Sequence, residues 1–492
     1  MLAFKDGVSL APSPDRGAVL QTAGREVPLR QLSSALVTAL QELSGGGSTA
    51  ERLGAAVERD EGATAAAKLF YFIERFRQLG LLTYQATWER GPLATLLPLT
   101  ASHPAAPDEI DPDARYVLSR FACLRRGAGD LVLESPLGHA TTLLHDHRAS
   151  AICHLLSHPC TVEEIGRELP ELSGKSIAML LGLFLGSRAV AAEGAADEAV
   201  APALATWSFH DLLFHARSRR GRHAAPYGGT FPFQGKIEPL PAVKPPMSGA
   251  LVPLRRPDID MLSASDVPFT RVLESRRSIR HHGARPIHID ELGELLYRSA
   301  RIRAVQKADS PYTRTDRPYP GGGASYELEL YVAVHACDGL DPGLHHYRPL
   351  EHALSAVAGP TRAVQALLAQ ARPSERADDP LQTLIILSAR FQRVTWKYES
   401  MAYALILKDV GVLYQTLYLV ATAMDLAPCA LGGGDSDLFA AAAGLDYYAE
   451  TSVGELLLGS QPRESRLPRR RRLRRPAASC AAPRRTPRSS SG

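Results

Sequence analysis

The chain has 492 residues, of which 45% are hydrophobic and 22% charged, a composition typical of soluble globular proteins. A chain of this length is too long to fold around a single hydrophobic core, so about two to four domains are expected. The net charge is +4, but the last 32 residues, from Gln461, contain eleven arginines and one glutamate. That segment carries +10, which leaves −6 for the other 460 residues. A mildly acidic body makes nucleic acid an unfavoured partner.

The sequence contains neither a membrane span nor a secretion signal that we recognise. No stretch reaches the roughly 18 uninterrupted apolar residues of a membrane helix. The start, "MLAFKDGVSLAPSPDRG", lacks a charged segment followed by an apolar run. Six scattered cysteines without paired spacing favour a reduced, cytoplasmic protein. The segment "HDHRASAICHLLSHPC" misses the spacings of zinc sites, so we predict a helix there and no metal.

The first 200 residues predict two modules of one design. In the first, residues 1–100, an amphipathic helix over 28–43 precedes a helix and short strand over 66–86. In the second, 110–200, strands over 129–144 precede helices, one of them capped by Thr161 with Glu164 three residues on. This order is that of a winged helix.

The remaining chain predicts a connector, a mixed domain and a tail. Residues 201–265 begin helical and become Pro-rich, which is typical of an extended connector. Residues 266–462 alternate strand patterns (326–337 and 381–392) with a helix over 404–426. That helix is apolar on most faces, so we expect it to be buried. Residues 463–492 are Arg/Pro-rich and predicted to be disordered.

Arginines surround one small hydroxyl in "LESRRSIRHHGAR". The cluster consists of Arg276, Arg277, Ser278, Arg280 and Arg285. The planar guanidinium donates two parallel hydrogen bonds, a geometry that matches phosphate. A helical pattern follows directly, and the free N–H groups at its start would complete a phosphate site. Solvated surface arginines would explain the cluster equally well if nothing else agreed.

Two glycine-rich turns agree with a phosphate site. Pro320, Gly321, Gly322 and Gly323 precede a strand, and "ALGGGDSD", with Gly432 and Gly433, follows the long helix. Glycines let backbone N–H groups approach a flat polar ring where a Cβ would collide. No GxGxxG or GxxxxGK motif for dinucleotides or ATP accompanies them. The pattern therefore predicts a mononucleotide with a planar head, and flavin mononucleotide (FMN) is the natural candidate.

Five motifs in order resemble the nitroreductase superfamily. They are "RRSIR", "YPGGGASYELELYVAV", "WKYESMAYALILKDVGVLYQTLYLVATAMDL", "ALGGGD" and "ELLLGS". More closely, the chain resembles the SagB-type, McbC-like branch, which oxidises thiazolines and oxazolines in ribosomally made peptides to thiazoles and oxazoles. The resemblance covers about 266–462. It implies an α+β fold: a C-terminal nitroreductase-like FMN domain, preceded by two winged-helix-like modules similar to leader-peptide-recognition modules.

The resemblance also implies roles for individual residues. Arg276, Ser278 and Arg280 match the FMN phosphate and ribityl clamp, beside Arg277. Pro320–Gly323 match the loop against the flavin edge, although Gly321 replaces a common serine, so one hydroxyl contact is missing. Gly432 and Gly433 match the loop near flavin N5. A C-terminal basic contact to phosphate would fall on Arg463 or Arg466. The FMN site is expected at a homodimer interface, with the helix over 404–426 in the dimer core.

Lys397 and Tyr398 match the pair proposed as catalytic in this branch. Aromatising an azoline removes a proton from carbon and passes a hydride to flavin N5. A desolvated lysine reaches the near-neutral pKa that such a base needs, and the tyrosine would hydrogen-bond the ring heteroatom or relay the proton. The plainer alternative is a solvated lysine and a packed tyrosine at a helix start.

The sequence therefore predicts an FMN-dependent azoline dehydrogenase acting on a ribosomal precursor peptide with a YcaO-type cyclodehydratase. Two alternatives stay open: a small-molecule NAD(P)H-dependent nitroreductase, and a non-catalytic peptide-recognition scaffold. The peptide, the choice between thiazoline and oxazoline, and which of Lys397 and Tyr398 is the base are not determined by the sequence.

Overall fold

The computed structural model describes residues 1–13, 17–22, 25–100, 105–194, 202–306, 312–372 and 381–462. The chain divides into two compact units. The first unit contains Met1–Glu238 and Val394–Leu405, and the second contains Pro239–Arg393 and the chain from Ile406. Arg463, Arg466 and the arginine-rich tail lie outside the described residues.

In the described part of the first hundred residues, three helices lie between strands. In chain order they are β1 Leu2–Phe4, β2 Ser9–Ser13, β3 Gly17–Thr22, β4 Arg25–Leu29, α1 Ser34–Ser44, α2 Ala50–Glu61, α3 Ala63–Gln78, β5 Leu82–Trp88 and β6 Gly91–Pro98. Leu36, Leu40 and Leu43 of α1 recur at helical spacing and are buried. Strands β2, β3 and β4 form a separate small sheet.

The second module repeats the plan. Its elements are β7 Tyr116–Leu118, β8 Cys123–Arg126, β9 Leu131–Glu134, β10 Ala140–Leu144, α4 His147–Leu155, α5 Val162–Glu168, α6 Gly174–Gly186 and β11 Val190–Ala192. The predicted cap of α5 is confirmed: the Glu164 amide donates to Thr161 Oγ1 at 3.1 Å, and the Thr161 amide donates to Glu164 Oε2 at 2.9 Å.

One antiparallel sheet joins the two modules. Its strand order is β1-β5-β6-β10-β9-β8. The join is the β6–β10 pair, which runs from Ala140 opposite Pro98 to Leu144 opposite Ala94. The helices cover this sheet in a single apolar core that includes Leu40, Leu96 and Leu180.

The first unit continues into short elements before the second begins. They are α7 Pro202–Ala205, α8 Phe209–Arg217 and β12 Gly228–Gly229. Strand β12 pairs with a two-residue strand, Tyr398–Glu399, which returns to this unit from much later in the chain.

The remaining elements belong mainly to the second unit. They are β13 Leu251–Pro253, α9 Ile259–Ser265, α10 Phe269–Ser275, β14 Ile287–His288, α11 Ile289–Ala300, β15 Ala304–Gln306, β16 Arg314–Asp316, β17 Leu328–Val334, β18 Cys337–Asp338, β19 Gly343–Arg348, β20 Ala353–Ala358, α12 Arg362–Gln370, β21 Thr383–Arg390, α13 Gln392–Thr395, β22 Tyr398–Glu399, α14 Ala402–Ala423, β23 Leu426–Ala430, α15 Ser436–Ala443 and β24 Glu450–Ser460.

A seven-stranded antiparallel sheet forms the middle of the second unit. Its order is β13-β20-β19-β17-β21-β24-β23. Strands β17 and β21, in the interior of the sheet, are buried along their whole length, which agrees with their mainly apolar sequences. Both lie within the predicted strand segments. The α+β class predicted from the sequence is confirmed.

Helix α14 departs from the expectation of full burial. It begins two residues earlier than predicted and ends at Ala423, because Leu426–Ala430 form a strand. The helix is long and apolar enough to cross a membrane by length and composition. Of its most apolar 18-residue stretch, 39% is buried. The expectation was wrong for the outward face, where Leu407 is 39% exposed. An apolar sequence alone does not show which side of a helix is covered.

The capping box at α5 yields a stability prediction. Thr161→Ala leaves the Glu164 amide without its acceptor and should cost about 1 kcal/mol. We expect faster hydrogen–deuterium exchange across residues 162–168, whereas Thr161→Ser, which keeps the hydroxyl, should exchange like the wild type. Equal exchange in the alanine variant would show that the cap contributes nothing.

Candidate functional site

The arginine–serine cluster lies in the loop that follows α10, not at the start of a helix. Helix α11 begins only at Ile289, and His288 and Glu291 cap it. Arg285 is bound to Glu291, with Nη2 and Oε1 at 2.8 Å. The expectation that a helix N-terminus completes the phosphate clamp was therefore wrong. The leucine pattern predicted the helix correctly, but not that a strand and a cap separate it from Ser278.

Tyr418 of α14 organises the clamp. Ser278 Oγ and Tyr418 Oη are 2.8 Å apart, and the Arg276 guanidinium lies 5.4 Å from the centre of the Tyr418 ring. The same tyrosine oxygen accepts from the Ala430 amide at 2.7 Å. Within the described ranges, neither Arg276 nor Arg280 forms an ion pair with a carboxylate. Their hydrogen-bond donors therefore suit an external anion.

Alternate residues of this loop face different sides. The Ile279 amide donates to the carbonyl of Pro428 at 2.9 Å, which fixes the loop along β23. Arg277 lines a separate crevice of about 10 Å³ with Asp425 and Gln461. The loop thus brings Arg276 and Ser278 together at Tyr418, while Arg277 lies apart from them.

The turn from Pro320 to Gly323 is a tight, left-handed loop. Gly323, Ala324 and Tyr326 have φ angles of 60°, 54° and 46°, a region that only glycine adopts without cost. A Cβ at Gly321 would meet the Tyr326 ring at 3.1 Å. Glycine is therefore favoured at 323 by the backbone conformation and at 321 by close packing.

Buried polar groups hold this glycine loop, and sequence reasoning missed all of them. The Gly322 amide donates to both carboxylate oxygens of Asp409 in α14, at 3.1 and 2.9 Å. The guanidinium of Arg393, fully buried, donates to the Ser325 carbonyl through Nε and Nη2 at 3.1 and 2.8 Å. The only signal in the sequence was that charged residues interrupt otherwise apolar elements.

The second glycine turn follows β23. No atom lies within 4 Å of a Cβ built at Gly432 or Gly433, so both positions border open space. A Cβ at Gly434 would lie 2.2 Å from the carboxyl carbon of Glu455. The steric demand for glycine thus falls on Gly434, one residue beyond those singled out from the sequence. Burial raises the pKa of Glu455.

Helix α14 separates the clamp from the first glycine loop. Asp409 and Tyr418 are nine residues apart, about 13.5 Å along the axis. At about 100° per residue they also lie on opposite sides of the helix. Tyr414, whose hydroxyl donates to the Glu455 carbonyl at 3.1 Å, shares the side of Tyr418. The clamp and the second glycine turn therefore meet at one margin of α14, and the first glycine loop meets it at the other.

Lys397 and Tyr398 belong to the first unit. Lys397 is only 8% exposed, and its ammonium lies 5.0 Å from the Tyr398 ring centre and 5.9 Å from that of Phe231. The Phe231 amide donates to the Lys397 carbonyl at 3.1 Å. Tyr398 pairs with Gly229 in the β12–β22 ladder. The alternative of a solvated lysine at a helix start was wrong, because Lys397 is buried and a strand follows it.

Three family models match successive parts of the chain. The ThcOx helix-turn-helix domain matches residues 1–104, the cyanobactin oxidase ThcOx matches 116–224, and the nitroreductase family matches 273–459.

Relatives agree with these matches. A protein assigned to the nitroreductases, MJ1384 of Methanocaldococcus jannaschii, is 26% identical over 184 residues, which are 37% of this chain and 85% of the relative. The microcin B17-processing protein McbC of Escherichia coli is 33% identical over 116 residues, 22% of this chain and 42% of McbC. The chain thus spans less than half the length of McbC.

Among solved structures, a nitroreductase-type protein of Anabaena variabilis is 23% identical with a TM-score of 0.37. The match covers 50% of this chain and 45% of that one. The family models and the relatives agree on the parts of the chain: residues 273–459 form a domain of the nitroreductase family, and residues 1–104 and 116–224, which precede it, are similar to two parts of the cyanobactin oxidase ThcOx.

Proposed function

We propose that this protein oxidises thiazolines or oxazolines in a ribosomally made peptide to thiazoles or oxazoles, with FMN as cofactor. The observation that carries the proposal is a buried lysine among aromatic rings, Lys397, in a chain of the cyanobactin-oxidase and nitroreductase families. The reaction removes one proton and one hydride from the ring. FMN, when bound, supplies the two-electron acceptor.

The second unit has the residues to hold FMN. Arg276 and Arg280 would donate to the phosphate, with Ser278 between them, and neither guanidinium has a carboxylate partner in the described ranges. Gly432 and Gly433 border open space that a planar ring could enter. Gly321–Gly323 would meet the ring edge.

Lys397 and Tyr398 would handle the proton. Lys397 lies almost entirely out of water beside two aromatic rings, and its amine is the group of this unit that would act as the general base. The Tyr398 ring lies against the ammonium and orients it. In this arrangement Lys397 accepts the ring proton, and the Tyr398 hydroxyl hydrogen-bonds the ring heteroatom.

We further propose a homodimer built on α14. The outward side of this helix carries Leu407, Gly411, Val412, Gln415 and Leu419, which are exposed or partly exposed. Because the clamp and the first glycine loop lie at opposite margins of α14, a two-fold pairing would bring the loop of one copy to the clamp of the other. The winged-helix-like modules would bind the precursor peptide in the cytoplasm, where a YcaO-type cyclodehydratase makes the azolines.

The clamp is tested by Arg276→Ala. Loss of a charge-assisted pair should weaken FMN binding about 10- to 100-fold, measured by quenching of flavin fluorescence. Arg285→Ala is the matched control, because Arg285 is bound to Glu291 instead, and it should bind like the wild type. If both variants keep full affinity, the phosphate site lies elsewhere.

The proton acceptor is tested by Lys397→Met and Tyr398→Phe. We expect azoline oxidation to fall about 10²- to 10⁴-fold for the lysine variant while FMN content and peptide affinity stay unchanged. Mass spectrometry would follow the loss of two hydrogens per ring. Lys236→Met, an exposed lysine of the same unit, is the control. Unchanged azoline oxidation in Lys397→Met would show that this residue is not the base. Rapid NAD(P)H turnover by the wild type would favour the alternative of a small-molecule NAD(P)H-dependent nitroreductase.

The dimer is tested by Leu407→Glu. A charge on the outward side of α14 should shift the protein to monomer in sedimentation equilibrium and weaken FMN binding in parallel, because each site would need both copies. Leu131→Glu is the control, since Leu131 is 38% exposed, like Leu407 at 39%, but belongs to the first unit. A wild type that is monomeric with FMN bound would contradict the two-copy site.

A further inference from the structure

The two carboxyl groups of Glu327 and Asp409 meet in the interior of the second unit. Glu327 is 0% and Asp409 5% exposed. Both oxygens of Glu327 lack a donor among the described groups, whereas both oxygens of Asp409 accept from the Gly322 amide. Two buried carboxylates in contact repel each other unless they share a proton.

The donors around the pair decide which carboxyl is charged. The Gly322 N–H is shared between the two oxygens of Asp409, which favours the charged form of that carboxyl. Glu327 is the group that keeps a proton: burial, and then Asp409, raise its pKa to about 8, although Arg317 acts in the opposite direction. Burial also raises the pKa of Asp409, which the bonds from Gly322 and Glu327 oppose.

Arg317 is one buried counter-charge for the two carboxyl groups, and the other charged groups facing them do not supply a second. The side chains of Arg317, Tyr319 and Arg393 interact with Glu327 electrostatically, and Lys408 interacts with Asp409. The Arg393 guanidinium is committed to carbonyl groups, including that of Ser325. Lys408 is exposed, so water screens its charge.

We propose that Glu327 and Asp409 share one proton and together act as a positioning pair that holds the first glycine loop in its left-handed form. The loop needs such a hold, because Ala324 and Tyr326 have positive φ angles that side-chain-bearing residues rarely adopt. The Gly322 amide is the point of contact, and an unshared second negative charge would drive Asp409 from it. The consequence for the flavin rests on the function proposed above; the hold on the loop does not.

The pair predicts a pH dependence with a definite sign. As pH rises through about 8, Glu327 loses its proton, the carboxylates repel and the loop loosens. FMN affinity should therefore be constant near pH 6.5 and fall about tenfold by pH 9. Glu327→Gln keeps the shape and always donates to Asp409, so its affinity should match the wild type at pH 6.5 and stay constant to pH 9.

The conformation of the loop can be measured independently of flavin binding. Hydrogen–deuterium exchange of residues 319–326, corrected for intrinsic rates, should show protection that wild type loses by pH 9 and Glu327→Gln keeps. Asp409→Asn should lose protection at both pH values, since it removes the negative acceptor. Asp425→Asn, an exposed residue just after α14, should behave like the wild type.

Each outcome decides one question. If Glu327→Gln and wild type lose loop protection in parallel as pH rises, or if Asp409→Asn keeps full protection, the positioning pair is wrong. If the protection data follow the expectation but no flavin binds at any pH, the pair stands and the proposed cofactor is wrong.

Discussion

The architecture of the second unit depends on how α14 is held along its buried side. One margin is hydrogen-bonded through Asp409 to the Gly322 amide, and the other through Tyr418 to Ser278 and Ala430. These bonds place two loops that lie far apart in sequence at defined positions on one rigid helix. The same helix leaves part of its apolar side exposed, as at Leu407.

Buried charge is concentrated where the chain is least regular. Asp409, Glu327 and Arg393 surround the first glycine loop, and each is almost fully buried. Burying such groups is costly unless every charge is compensated. Compensation here comes from backbone amides and carbonyls and from one proton, not from simple ion pairs. A loop stabilised in this way keeps an uncommon backbone geometry, which is what close approach to a planar ligand requires.

In the first unit, a shared sheet holds two small modules together. The β6–β10 pair makes their hairpins one sheet, so neither module presents that strand edge to solvent. Removing one module would expose this edge and much of the shared core. We therefore regard the described residues between 1 and 192 as one structural block.

Local chemistry was predictable from the sequence, and long-range placement was not. The Thr161 cap, the strands at β17 and β21, and the grouping of Arg276 with Ser278 each depend on residues a few positions apart, so short patterns were enough. The contact of Gly322 with Asp409 joins residues 87 positions apart, and the steric need for glycine at 434 comes from Glu455 of β24. The covered side of α14 and the burial of Lys397 likewise depend on what folds against them. The periodicity of apolar residues in the sequence shows that one face of an element is apolar. Only the tertiary structure decides which neighbouring element covers that face.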